Sequence, residues 1–129
     1  MDGFTAKGVA ATTMGDTNCR VVALAEDPNG DGGPVLQIQR SLTHDEQDRK
    51  LGFDTHCLSD ERGASVYGGV LSYSVDGPTL KMRVNQETRD ALGIPEEFAI
   101  QLDTDDATIE SVREALAWIL QDVPARALH

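Results

Sequence analysis

The stretch VLSYSVDGPTLKMRV, residues 70–84, reads as a β-hairpin. Its arms, 70–75 and 79–84, flank Asp76-Gly77-Pro78, a cluster whose φ preferences suit a tight reversal. Leu71, Tyr73 and Val75 share one face of the first arm, and Leu80, Met82 and Val84 share one face of the second. Lys81 and Arg83 point the other way, so the period is two and one face is built for burial.

Outward from the hairpin the chain keeps the same grammar. Strands are expected over 4–12, 19–25, 35–40, 53–59 and 64–69, and a last one carries Phe98, Ile100 and Leu102 on one face. The run Val21-Val22-Ala23-Leu24-Ala25 is almost continuously apolar, which marks a central strand covered on both sides. Asn85 can open a short helix over 86–92 that Gly93 closes, with Pro95 preventing its resumption. A longer helix begins near Asp106 or Thr108 and runs to about Gln121. Ile109, Val112, Leu116, Ile119 and Leu120 form its apolar stripe, while Trp118 lies roughly 120° away by helical-wheel geometry. The expected fold is α+β: a single domain over residues 1–129, a mainly antiparallel sheet, the C-terminal amphipathic helix packed on one face, and two short helices.

The 129 residues suffice for one core without disulfides or metal. Eleven basic against 22 acidic residues give a net charge of -11, which opposes nucleic-acid backbones and anionic membranes and steers in a basic partner. Two separated cysteines, Cys19 and Cys57, signal neither a disulfide framework nor a zinc ribbon. The segment MDGFTAKG lacks the pattern of a signal peptide, and no apolar run approaches bilayer-spanning length, so a cytoplasmic location is expected.

The segment THDEQDRKLG, residues 43–52, packs acids and bases densely. Thr43 and Glu46 have capping-box spacing; Asp45 with Arg49 and Glu46 with Lys50 are helix-spaced pairs ordered as the macrodipole prefers, and Gly52 is placed to end the helix. His44 and Asp48 are left without a structural role, open to a metal or a partner but most simply a solvated face. Asp54-Thr55-His56-Cys57 raises a cysteine nucleophile with a histidine base. Adjacent residues of a strand face opposite ways, so His56 is poorly placed for Cys57, and neither His44 nor His129 comes with an oxyanion hole. Cys57 reads as a small buried residue. Asp27, Asn29, Asp31 and Gly32 match half a calcium loop, but Ile38 stands where the closing acid belongs, so a plain turn is expected. Tyr67-Gly68-Gly69 lacks the lysine and the strand-to-helix context of a phosphate loop.

Gln39-Arg40, Leu42, Asp45-Glu46-Gln47-Asp48, Leu51-Gly52, Asp54-Thr55, Cys57 and Tyr67-Gly68-Gly69-Val70 together resemble the signature of a bacterial immunity-protein family, the tenth described for polymorphic toxin systems. The rest is similar in plan, with a Gly-Ile-Pro element at 93–95 and a closing amphipathic helix. The resemblance implies a non-enzymatic inhibitor without cofactor or metal, made beside a cognate toxin and neutralising it by stoichiometric occlusion. Nuclease, deaminase and peptidase toxins all stay open. On exposure and chemistry, the expected partner-binding residues are Asp45, Asp48 and Asp54 as steering acids, with Tyr67 or Trp118 as an aromatic anchor. The competing readings are a small hydrolase-like or metal-dependent enzyme using His44, Asp48, Asp54 and Cys57, and a module forming a homodimer through sheet edges.

Overall fold

The computed structural model describes residues 3–14, 18–29, 32–43, 46–51 and 55–123. Four strands lie side by side in the order β1 (Gly3–Ala6), β9 (Glu97–Leu102), β8 (Thr79–Val84), β7 (Val70–Asp76). Five more follow the order β2 (Gly8–Met14), β3 (Cys19–Ala25), β4 (Val35–Ser41), β5 (Cys57–Asp60), β6 (Ser65–Tyr67). Every pairing is antiparallel except β1 with β9.

The strand expected over 4–12 is therefore two strands in different sheets. Lys7 is the corner: its N–H donates to the Ala25 carbonyl, while Ala6 beyond it pairs with Leu102. A second corner at Gly68-Gly69 carries the chain from β6 into β7. The two hydrogen-bonded sheets are thus joined by the chain itself at these corners, and the path runs as a circuit from β1/β2 through β3, β4 and β5 to β6/β7, then through β8 and β9 back to β1. At the second corner a Cβ on Gly69 would stand 1.9 Å from Thr88 Oγ1, so any other residue there must displace the Thr88 side chain.

Among the described residues there are three helices: α1 (Glu46–Lys50), α2 (Gln86–Leu92) and α3 (Asp106–Ile119). The Asn85 side chain accepts from the Thr88 N–H at 2.9 Å, and Gly93 ends α2 in the left-handed region at φ 64°, a conformation costly for any residue with a Cβ. Asp105 caps α3 through the Thr108 N–H at 2.7 Å. The stripe Ile109, Val112, Leu116, Ile119 and Leu120 is buried as its spacing requires, and α3 packs across β2, β3 and β4. One apolar cluster joins this stripe to Val22, Leu24, Ile38 and Leu58 of the five-stranded sheet and to Leu80, Met82, Phe98 and Ile100 of the other.

Two local expectations are corrected. In the hairpin, Tyr73 is buried as expected but Leu71 is exposed, because a bulge between Val70 and Ser72 shifts the register and turns Val70 inward in its place. Strand β5 starts at Cys57, where the pairing with Gln39 and Tyr67 begins; residues 53 and 54 lie outside the described part. Thr43 Oγ1 accepts from Asn18 Nδ2 at 3.0 Å at the end of β4, while residues 44 and 45 of the expected capping box lie outside the described residues. Of the pairs expected in that helix, Glu46–Lys50 is present at 4.0 Å between exposed side chains, while Asp45 and Gly52 lie outside the described residues.

Candidate partner-binding surface

Strand alternation gives the five-stranded sheet two unlike faces. The inner row Ala11, Val22, Ile38, Leu58, Val66 points at α3 and the core. The outer face carries the row Thr12, Val21, Gln39, Cys57, Tyr67. Beside it runs Ala10, Ala23, Gln37, Ser59, Ser65. Neither outer row contains a charged residue. The outer face of the four-stranded sheet, by contrast, carries Asp76, Lys81, Arg83 and Glu97.

Tyr67 stands on this uncharged face with 45% of its surface exposed. A cleft of about 250 Å³ beside it is lined by Gln39, Ser41, Thr55 and Cys57, together with Cys19 and Arg40. The cleft lies where the connection between β4 and β5, which contains α1 and the acidic segment, departs and returns. Asp45 and Asp54 lie outside the described residues, as does the side chain of Asp48, whose backbone belongs to α1. Trp118 is elsewhere: it is half-buried at the edge of the core, with the Arg20 guanidinium 5.8 Å from its ring centre in cation–π geometry. Arg20 belongs to the inner side, so the two expected aromatic anchors occupy opposite sides of one sheet and do not form a common site.

Behind the cleft is a polar cluster that the sequence did not announce. His56 is 2% exposed; its Nε2 accepts from the Val70 N–H at 3.0 Å, so the ring proton sits on Nδ1, which donates to Asp122 Oδ1 at 3.1 Å. Thr55 Oγ1 also donates to Asp122, and Arg40 Nη1 reaches both Asp122 Oδ1 at 3.1 Å and the Ile119 carbonyl at 3.4 Å. Burial most strongly pushes the His56 pKa down, and the Asp122 hydrogen bond and charge oppose this without prevailing. For Asp122 burial pushes upward, but the bonds from Thr55 and His56 outweigh it and hold the carboxyl below its ordinary value. Arg40 and Thr55, two of the signature positions, thus fasten the end of α3 to β4 and to the approach of β5. No local pattern marks Asp122, which follows the helix; its partners could only be found in three dimensions.

A histidine, a hydroxyl and an aspartate together resemble catalytic machinery. Here Nε2 is taken by a backbone N–H, leaving no lone pair to accept a proton from a nucleophile. Cys57 is 3% exposed, with its sulfur 3.8 Å from the Leu58 carbonyl and 3.9 Å from Ser59 Oγ. His44 and His129 lie outside the described residues, so the proposed metal pair His44 and Asp48 does too; among the described residues no three potential ligands converge. In the half calcium loop, the Asn29 N–H donates to Asp27 Oδ2 at 2.8 Å, the contact of a simple Asx turn, and Asp31 is outside the described part. Among the described residues no helix is long and apolar enough to cross a membrane.

Curated proteins contain no match to this chain. The profile of a family described as Immunity protein 10 matches residues 5–110 of the 129, a span that takes in β2 through β9, the acidic connection and the first turn of α3. With most of its length matched, the chain belongs to the Immunity protein 10 family.

Proposed function

We propose that this chain binds a cognate bacterial toxin in the cytoplasm and neutralises it by stoichiometric occlusion. The observation that carries the reading is the family match over residues 5–110. Two features support it. The net charge of -11 favours encounter with a basic partner, and long-range attraction of that kind raises association rates. In addition, the one histidine–aspartate pair among the described residues has both ring nitrogens engaged, an arrangement that suits a structural fastener better than a general base. On this reading Asp45, Asp48 and Asp54 steer the encounter and Tyr67 anchors the complex.

Titration of the purified toxin with this protein tests the reading. Inhibition should rise linearly and saturate at a fixed stoichiometric ratio, with active toxin recovered on dissociation. Progressive inactivation of excess toxin by a small amount of the protein would instead reveal turnover and overturn occlusion. Loss of protection in Cys57→Ala with binding and fold intact would have the same meaning.

A further inference from the structure

We propose that the toxin docks on the uncharged outer face of the five-stranded sheet, through an uncharged patch of its own, with Tyr67 as the anchor. The assignment rests on the toxin-binding reading and adds to it where contact is made and with what chemistry.

About a quarter of the residues are charged, yet two complete rows across five strands contain none. Sheet exteriors do not require this, as the charged outer face of the four-stranded sheet shows. Loss of charge with an aromatic retained is the composition that distinguishes the centre of a protein interface from ordinary surface. Ala10, Thr12, Gln37, Ser65 and Tyr67 are exposed along these rows, whereas Val21, Cys57 and Ser59 between them are buried. Short side chains let a partner approach closely, and few long rotamers have to be ordered on contact. The glutamine amides and the hydroxyls offer donors and acceptors together. The cleft beside Tyr67 supplies relief for a protruding side chain, and its charged member, Arg40, directs its guanidinium to Asp122.

The occupant's chemistry follows from the same absence. A lysine or carboxylate pressed onto these rows would lose its hydration and meet no counter-charge among their residues, so the matching patch is neutral. Affinity then belongs to the uncharged floor, and long-range steering to the net charge of -11.

A substitution pair of opposite sign separates this from a purely electrostatic site. Gln37→Arg and Gln37→Glu, with Ser65→Arg and Ser65→Glu as a second position, are measured by surface plasmon resonance against the purified toxin encoded beside this chain, after circular dichroism and urea unfolding confirm the fold. Both signs should weaken binding about tenfold or more, Tyr67→Ala should speed dissociation by a similar factor, and Lys81→Glu on the other sheet should change little. Effects of opposite direction for Arg and Glu, or none, would overturn the assignment while leaving toxin binding intact. So would a wild-type dimer that Gln37→Arg dissolves without changing toxin affinity, since the face would then belong to a second copy. A wild-type protein that does not bind the toxin would overturn the functional reading and this assignment with it.

Discussion

Acidification from pH 7.5 to 5.5 should weaken the fold through His56. The folded imidazole is neutral and its pKa lies below the ordinary 6.5, burial being the main cause. The unfolded chain therefore takes up a proton near pH 6.5 that the folded chain refuses. Stability is full above that point and falls as the pH drops toward the folded pKa. One proton limits the slope to about 1.4 kcal/mol per pH unit, and the half-titration on either side of 6.5 caps the loss over this interval at about 1.4 kcal/mol. The structure shows what resists protonation: a proton on Nε2 displaces the Val70 N–H, leaving a buried donor without an acceptor at a cost of about 1–3 kcal/mol. Asp122 does not blur the window. Its carboxyl is held below 3.8, so its contribution is present above that value and is lost only as the pH falls further, through the folded pKa. Urea unfolding at pH 7.5, 6.5 and 5.5 on the wild type and on His56→Leu gives the slope by difference, with His44 and His129 common to both. The variant itself should lose about 1–3 kcal/mol at pH 7.5 for each partner it abandons. Should His56→Leu not fold, an NMR titration of the wild-type imidazole reads the same shift. Equal slopes in the two proteins, or an imidazole titrating at or above 6.5, would refute the reasoning.

Reversing Asp45 and Asp48 together to lysine should slow association with the toxin and flatten its salt dependence while dissociation stays close to wild type, as stopped-flow kinetics at several ionic strengths would show. Unchanged rates in a folded protein would leave those acids a solvated helix face. Gly69→Ala should destabilise by about 1–3 kcal/mol in urea unfolding, because the new Cβ must displace the buried Thr88 side chain from 1.9 Å; a neutral result would mean that the corner has room to move.

Legibility in the sequence followed the range of each interaction. Helix α3 and the β7–β8 hairpin were readable because their burial patterns are local, as were the Asn85 cap and the Gly93 stop. The Leu71 bulge was not, since a one-residue slip is invisible to a period-two count. The division of 4–12 at Lys7 depends on two partners, β9 and β3, that lie far apart in the chain. Tyr67 was singled out from its sequence context, but the uncharged face around it emerges only when five strands are laid in register. That Trp118 lies on the other side of that sheet, against Arg20, is likewise visible only in three dimensions. His56 was read as a strand residue beside a cysteine; Asp122, 66 residues on, gives it a different task.

The parallel pairing of Gly3–Ala6 with residues 99–102 has a consequence in time. The circuit closes only when its first strand meets its ninth, a long-range contact of the kind that slows folding. At about 5–20 residues per second, the two halves of that ladder leave the ribosome about 5–20 s apart, and until then the core between the sheets stays open on one side. The last pairing of the four-stranded sheet is therefore made late in synthesis, and the chain completes its fold only after its ninth strand has emerged.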